Sequence, residues 1–268
     1  MKKTGKLFKY IFLSVASFIS IFPFFWMIIG ATNTSKEISI GKLTFGTHLI
    51  ENIRSVFEQT NVERVFLNSI IISSVSTILA ILLASMAGYA FEVFKTKFLD
   101  KVFNIIMLSM MIPFAAVMIP LFRMMSQIGL LDTYAGVMLP TLVTAFLIFF
   151  FRQNTKSFPK ELIEAARVDG LGEVRIFFRI FVPSMKATYA AAGIITFMAS
   201  WNNYLWPLIA IQTNEQQTLP LLISYVASAY QPNYGAIMVL IIIATLPTLI
   251  VFFLMQKYFV EGMVGSIK

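Results

Sequence analysis

Glu164-Ala165-Ala166-Arg167-Val168-Asp169-Gly170 interrupts a chain that is otherwise mostly apolar, and Phe177 and Pro183 follow it. The 268 residues are 58% hydrophobic and only 13% charged, with a mean hydropathy of +0.80. A soluble domain carries about a quarter charged residues, so this composition calls for lipid as solvent. A compact charged island between two long hydrophobic stretches is then a place where a membrane-embedded chain can meet a soluble partner.

Six hydrophobic stretches surround the island, at about 8–30, 65–91, 101–121, 134–151, 187–211 and 236–258. Each approaches or exceeds the roughly 20 residues that cross about 30 Å of hydrocarbon. Continuous helices are the default there, because a helix satisfies its own backbone hydrogen bonds. The first stretch reads as a retained span, being too long for a cleaved leader and lacking a small-x-small site after it.

Basic residues give the orientation. With the N-terminus inside, sixteen of the 21 Lys and Arg fall on inner segments and five on outer ones. That split predicts both termini in the cytoplasm and puts the island there too. It also accounts for the net charge of +8 without a nucleic-acid partner. Cysteine is absent, and the single histidine, His48, excludes paired-histidine zinc motifs, so no metal site is expected. His48 reads as a solvated residue of the polar first outer loop, 31–64, where residues 52–57 suit a short helix.

The inner segment 152–186 divides into parts. Pro159 suits a first helical turn, with Ser157 placed to cap it. Residues 160–168 favour helix, and Gly170 and Gly172 interrupt it. Asp169 is a candidate cap for the next helix, where Leu171, Val174, Phe178 and Phe181 form an amphipathic face. Pro183 marks a break before the fifth span. Ala165 and Ala166 would let a partner approach the backbone closely, Glu164 and Asp169 offer negative groups, and Gly170 permits a sharp turn.

Two further patterns lie inside the spans. Ser69, Ser73, Ser76, Thr77, Ala80, Ala84 and Gly88 form one stripe, which suits helix packing or a substrate path, with Asn68 and Tyr89 near opposite ends of the same helix. Ser200-Trp201-Asn202-Asn203-Tyr204-Leu205-Trp206-Pro207 combines amides and aromatics. These suit sugar hydroxyls and sugar C–H faces, or an interfacial aromatic belt. Asn68, Trp201, Asn202, Asn203 and Tyr204 are the substrate-path candidates. Pro113, Pro120, Pro140 and Pro247 read as kinks.

Glu164-Ala165-Ala166-x-x-Asp169-Gly170, with Phe177, Ile180 and Pro183, resembles the "EAA" loop of ABC importer permeases, although Leu171 stands where many relatives have Ala. Phe66-Leu67-Asn68-Ser69, the 200–207 stretch and the tail Phe259-Val260-Glu261-Gly262-Met263-Val264-Gly265-Ser266-Ile267-Lys268 resemble carbohydrate importer permeases, most closely the second permease subunit of maltose-type importers. The resemblance covers nearly the whole chain. It implies an all-α integral membrane protein, a single permease domain over 1–268 with six transmembrane helices and a cytoplasmic coupling helix. Glu164, Ala165, Ala166, Asp169 and Gly170 would then be the ATPase-coupling residues.

It further implies a second, usually different permease subunit, two cytoplasmic ABC ATPases, an extracytoplasmic solute-binding protein and a sugar substrate, in a bacterial cell membrane. The chain has no G-x-x-x-x-G-K-[ST] loop, so ATP and Mg are expected on the partner ATPases. No cofactor is expected on this chain, which reads as a transport subunit without catalytic residues. A non-sugar importer permease is the nearest alternative. A secondary transporter would show internal repeats and intramembrane ionisable groups, and a membrane enzyme an acid–base or metal constellation, and the spans display neither pattern.

Overall fold

The computed structural model describes residues 2–264, with side chains described over 6–257. The tail motif at 259–268 therefore lies outside the described side chains. Among the described residues there are helices and turns only: α1 (Lys2–Ala31), α2 (Ser35–Ser39), α3 (Leu49–Gln59), α4 (Val62–Val93), α5 (Lys97–Ser109), α6 (Phe114–Gln127), α7 (Tyr134–Met138), α8 (Ala145–Thr155), α9 (Lys160–Val168), α10 (Glu173–Ile176), α11 (Val182–Ser184), α12 (Lys186–Trp201), α13 (Leu205–Ala210), α14 (Leu219–Ala227) and α15 (Tyr234–Val264). Three are long and apolar enough to cross a membrane unaided, within α1, α4 and α15. Three bent pairs supply further candidate crossings: α5 with α6, α7 with α8, and α10–α11 with α12.

Those bends correct the expectation of continuous helices. The third span folds through 99° between Ser109 and Phe114, and the fourth through 48° between Thr141 and Ala145. Pro113 occupies the N-cap of α6 and Pro140 a 3-10 turn at the fourth-span break. Proline has no N–H to continue the preceding helix, which ends the run at each point. Pro120 and Pro247 stay inside α6 and α15. The fifth span also ends earlier than read, α12 stopping at Trp201 and α13 resuming at Leu205.

The chain forms two compact units. The first comprises Met1–Arg64 and Leu221–Pro247. Along α1, Phe8, Phe12 and Ile19 stand exposed, as lipid-facing side chains do. At its end the polar loop is tied by amides: Asn33 donates to Ile29 O and Thr44 O, and Asn52 to Ala31 O and Asn33 O, all at 2.9–3.0 Å. Thr34 and Glu37 form a reciprocal capping box on α2. Lys42 donates to Glu37 at 2.7 Å, and with the Thr34 bonds this draws the Glu37 carboxyl down to about 2. His48 sits at the N-cap of α3 without a side-chain capping bond, its Nε2 3.9 Å from Glu51.

The second unit comprises Val65–Pro220 and Thr248–Lys268. Its core sets Ala80 and Ala84 of α4 against Leu147, Ile148 and Phe151 of α8 and Ala192 of α12. At Gly88 a Cβ would lie 2.6 Å from the Phe151 Cβ, so only glycine lets α4 and α8 close there. The small-residue stripe thus divides. Its inner half, from Ala80 to Gly88, packs helices, while Ser69, Ser73 and Ser76 face polar cavities.

Candidate functional site

The island folds as a helix ended by a specific turn. α9 has Pro159 at its N-cap with no side-chain cap, and Ser157 instead donates to Asn154 O. Asp169 is the C-cap of α9, and Gly172 takes the N-cap of α10, correcting the reading of Asp169 as that helix's cap. Gly170 has φ +78°, its N–H donates to Arg167 O, and Leu171 N–H donates to Ala166 O. These paired bonds make a Schellman turn, which needs the left-handed residue that glycine supplies at least cost. Gly170→Ala is expected to destabilise this turn by about 1–2 kcal/mol, read as faster proteolytic nicking between α9 and α10 in the otherwise folded chain. Arg167 Nε donates to Glu173 Oε1 at 2.6 Å and clips the two helices across the turn, and that bond raises the guanidinium's already high pKa.

One face of α9 is inward. Ile163 and Ala166 pack with Tyr89, Phe158, Ile176, Phe177 and Phe181. Ala166 is 4% exposed, so it roots the helix in its own unit and does not offer a surface to a partner, as the sequence reading supposed. Glu164, Ala165 and Asp169 are exposed. Beside them stand Leu162 and Val168, the latter 88% exposed, two apolar residues that the sequence reading passed over. Leu162, Ala165 and Val168 are three apart and make an outward apolar strip.

The following segment departs from the expected amphipathic helix. Residues Phe177–Phe181 form a π turn, which carries more residues per turn than an α-helix. Phe177 and Phe181 therefore stack on the same side, ring centroids 5.6 Å apart, and both contact Tyr89 at 5.3 and 4.8 Å. Val174 and Phe178, expected on the buried face, are exposed instead. The wider turn, invisible to a 3.6-residue count, shifts the buried face to Ile176, Phe177 and Phe181. The lever is thereby seated on α4 through Tyr89 as well as joined to α12.

A buried ion cluster, also missed in the sequence, lies at the same end of α4. Arg152 is 6% exposed, and its Nε lies 3.5 Å from Glu92, itself 5% exposed. Its Nη2 donates to Asp100, and its guanidinium carbon sits 4.1 Å from the Phe103 ring centroid. Lys160, the first residue of α9, reaches Glu92 at 3.9 Å. The cluster joins α4, α5 and α8 to α9. Its members are 52 or more positions apart where Asp100 meets Arg152, so no local pattern announces it.

The substrate-path candidates separate into distinct roles. Asn68 is 2% exposed and its amide is spent: Nδ2 donates to Glu215 O and Gln217 O, each at 2.9 Å, and Oδ1 accepts from Tyr134 at 2.5 Å. Ser69 Oγ accepts from Leu219 N. These bonds staple the 215–219 loop, so Asn68 is a structural group and not a substrate contact. Trp201 is buried, stacked on Phe197 at 5.8 Å and edge-on to Phe66 at 5.9 Å. Asn202 is exposed at the C-cap of α12 and donates to Met198 O. Tyr204 is half-buried. Trp206 is fully buried with Nε1 donating to Gly136 O, which removes it from any interfacial belt.

Asn203 faces open space. It lines a cavity of about 280 Å3 together with Ser76, Thr141, Thr144, Thr196 and Ser200. A second cavity of about 10 Å3 shares Thr141, Ser200 and Asn203 and narrows beside Trp201. No lining residue of either cavity is charged. The threonines were legible only as hydroxyls spaced by three or four in apolar helices. α12, 16 residues long, carries the coupling segment before its start and the Trp201–Asn203 group at its end, about 24 Å apart at 1.5 Å per residue.

Nearby, Asp132 joins two loops. Burial opposes its ionisation, but the N–H groups of Gln212 and Thr213 and the Thr213 hydroxyl outweigh this and hold the carboxyl below its ordinary value. The stabilisation is present above the unfolded pKa of about 3.9 and lost as pH falls through the lower folded value. Proteolytic protection of the 211–213 loop should drop in that acidic window in the native chain, and Asp132→Asn should remove the pH dependence.

Residues 80–265 match the sequence profile of the binding-protein-dependent transport system inner membrane component family. The chain is 56% identical over 260 residues to the lactose transport system permease protein of Rhizobium radiobacter, covering 97% of this chain and 95% of that protein. It is 35% identical to the arabinooligosaccharides transport system permease protein of Bacillus subtilis, covering 96% and 94%. Its fold matches a crystal structure of a bacterial ABC transporter involved in importing the acidic polysaccharide alginate, with a TM-score of 0.85 at 19% identity over 96% of this chain and 97% of that one.

Proposed function

Because the chain belongs to the family of binding-protein-dependent transport system inner membrane components, we propose that it is one permease subunit of an ATP-driven importer for neutral oligosaccharides, with lactose the first sugar to try. It is a multi-pass membrane protein. In this reading it lies in a bacterial cell membrane with both termini in the cytoplasm. It pairs with a second permease and rests on two cytoplasmic ATPases that hold ATP and Mg. An extracytoplasmic binding protein delivers the sugar, and this chain hydrolyses nothing itself.

The observation that carries the coupling role is the seated lever. α9 turns Leu162, Ala165 and Val168 outward and keeps Ile163 and Ala166 rooted against Tyr89 of α4. Closure of an ATPase dimer around the outward strip, with Glu164 and Asp169 as flanking anions, would move α9 as a body. Its root would carry that motion into α4 directly and into α12 through the π turn. Gly170 keeps the end of the lever in shape. The substrate class rests on the lactose and arabinooligosaccharide relatives, and a lining without charged groups suits an uncharged sugar. The test is purification of the assembly through a tag on this chain, followed by ATPase activity and uptake in proteoliposomes with the lactose-loaded binding protein. Co-purifying ATPases with lactose-stimulated turnover support the reading, whereas a chain that assembles with no ATPase overturns it.

A further inference from the structure

We propose that the 280 Å3 cavity is a sugar-ring subsite on this chain's own wall of the permeation path, an inference that rests on the sugar-import reading above. On this measure the cavity exceeds many times the roughly 10–15 Å3 that admits one water. Ser76 is 3% exposed, lines it, and has an Oγ without a hydrogen-bond partner. A buried hydroxyl left unpaired costs about 1–3 kcal/mol, so a ligand hydroxyl at this position recovers what the empty fold forgoes.

The other polar groups are arranged in complementary hydrogen-bonding states. Thr144 Oγ1 accepts from Leu147 N, leaving its own O–H to donate. Thr141 Oγ1 donates to Met138 O, leaving lone pairs to accept. Thr196 and Ser200 sit one turn apart on α12, and Asn203 adds an amide. A sugar hydroxyl both donates and accepts, so it can use each of these, whereas an ion would find no counter-charge. Phe146, Leu147 and Ile195 complete the lining with apolar surface for a sugar's C–H face. On the Trp201 side the space contracts to about 10 Å3, which closes the subsite to anything larger than a water in this conformation.

The chain's lack of cysteine makes the test direct. Ser76→Cys and Thr196→Cys would each be placed in the complete importer in membrane vesicles. Labelling of this chain by a small methanethiosulfonate would be timed with and without saturating lactose and its binding protein under turnover, against the labelling of the denatured chain as total. Several-fold slower labelling with lactose at either position is the expected result. Equal rates in vesicles that import lactose would overturn the subsite and leave the importer reading standing. Vesicles of the native assembly that import neither lactose nor an arabinooligosaccharide would overturn the sugar reading and the subsite with it.

Discussion

Arg152→Met is expected to destabilise the chain by about 3–5 kcal/mol, because it strands Glu92 in the interior without its counter-charge. Lys160 cannot substitute: its side chain is 58% exposed and meets Glu92 only at 3.9 Å, and an exposed pair contributes at most about 1 kcal/mol. Adding Glu92→Gln to Arg152→Met should recover most of the loss, since a buried pair can be replaced by uncharged groups at little net cost. Thermal unfolding of the detergent-solubilised chain, followed by loss of the monodisperse species, reads both variants. Equal melting of native and Arg152→Met protein would show that the cluster contributes nothing to stability.

The second large effect is expected on α9. Val168→Asp puts a charge at the most exposed apolar position of the outward strip, and Ala165→Trp fills the surface next to it. Neither side chain supports the chain's own core, so folding should survive. Central contacts of a docking surface are typically worth about 2 kcal/mol or more, which corresponds to roughly 30-fold weaker ATPase association. Sugar uptake should fall accordingly while the amount of folded chain in the membrane stays constant. Retained ATPase binding in both variants would remove this strip from the coupling surface. Ala166→Trp makes the contrast, because it should disrupt the Tyr89 cluster and lower stability itself.

Residues 160–168 could be read as a helix from sequence because the determinants are local: a proline before the first turn and a glycine after the last. The crossings were legible for the same reason, as runs of apolar residues. Where the reading failed, the cause lay at long range or in a change of period. Asn68 in an apolar helix suggests a ligand, but its partners lie 147 and 149 residues away, and only the fold brings them together. Glu92 and Arg152 look like ordinary inner-loop charges until α4 and α8 pack. The stripe on α4 posed a choice between packing and path. Gly88 against Phe151 and Ser76 beside the cavity show that each alternative holds for one half of it.

The π turn at Phe177–Phe181 also sets a clock. In an α-helix each residue advances the chain by about 100°, so the one extra residue held in this turn fixes the rotational phase between the lever and everything that follows it. Deleting any residue between Ile176 and Val182 would leave composition and hydropathy almost unchanged, yet turn the downstream face by more than a quarter of a circle. In relatives of this chain, the length of this short segment should therefore vary less than its side chains do.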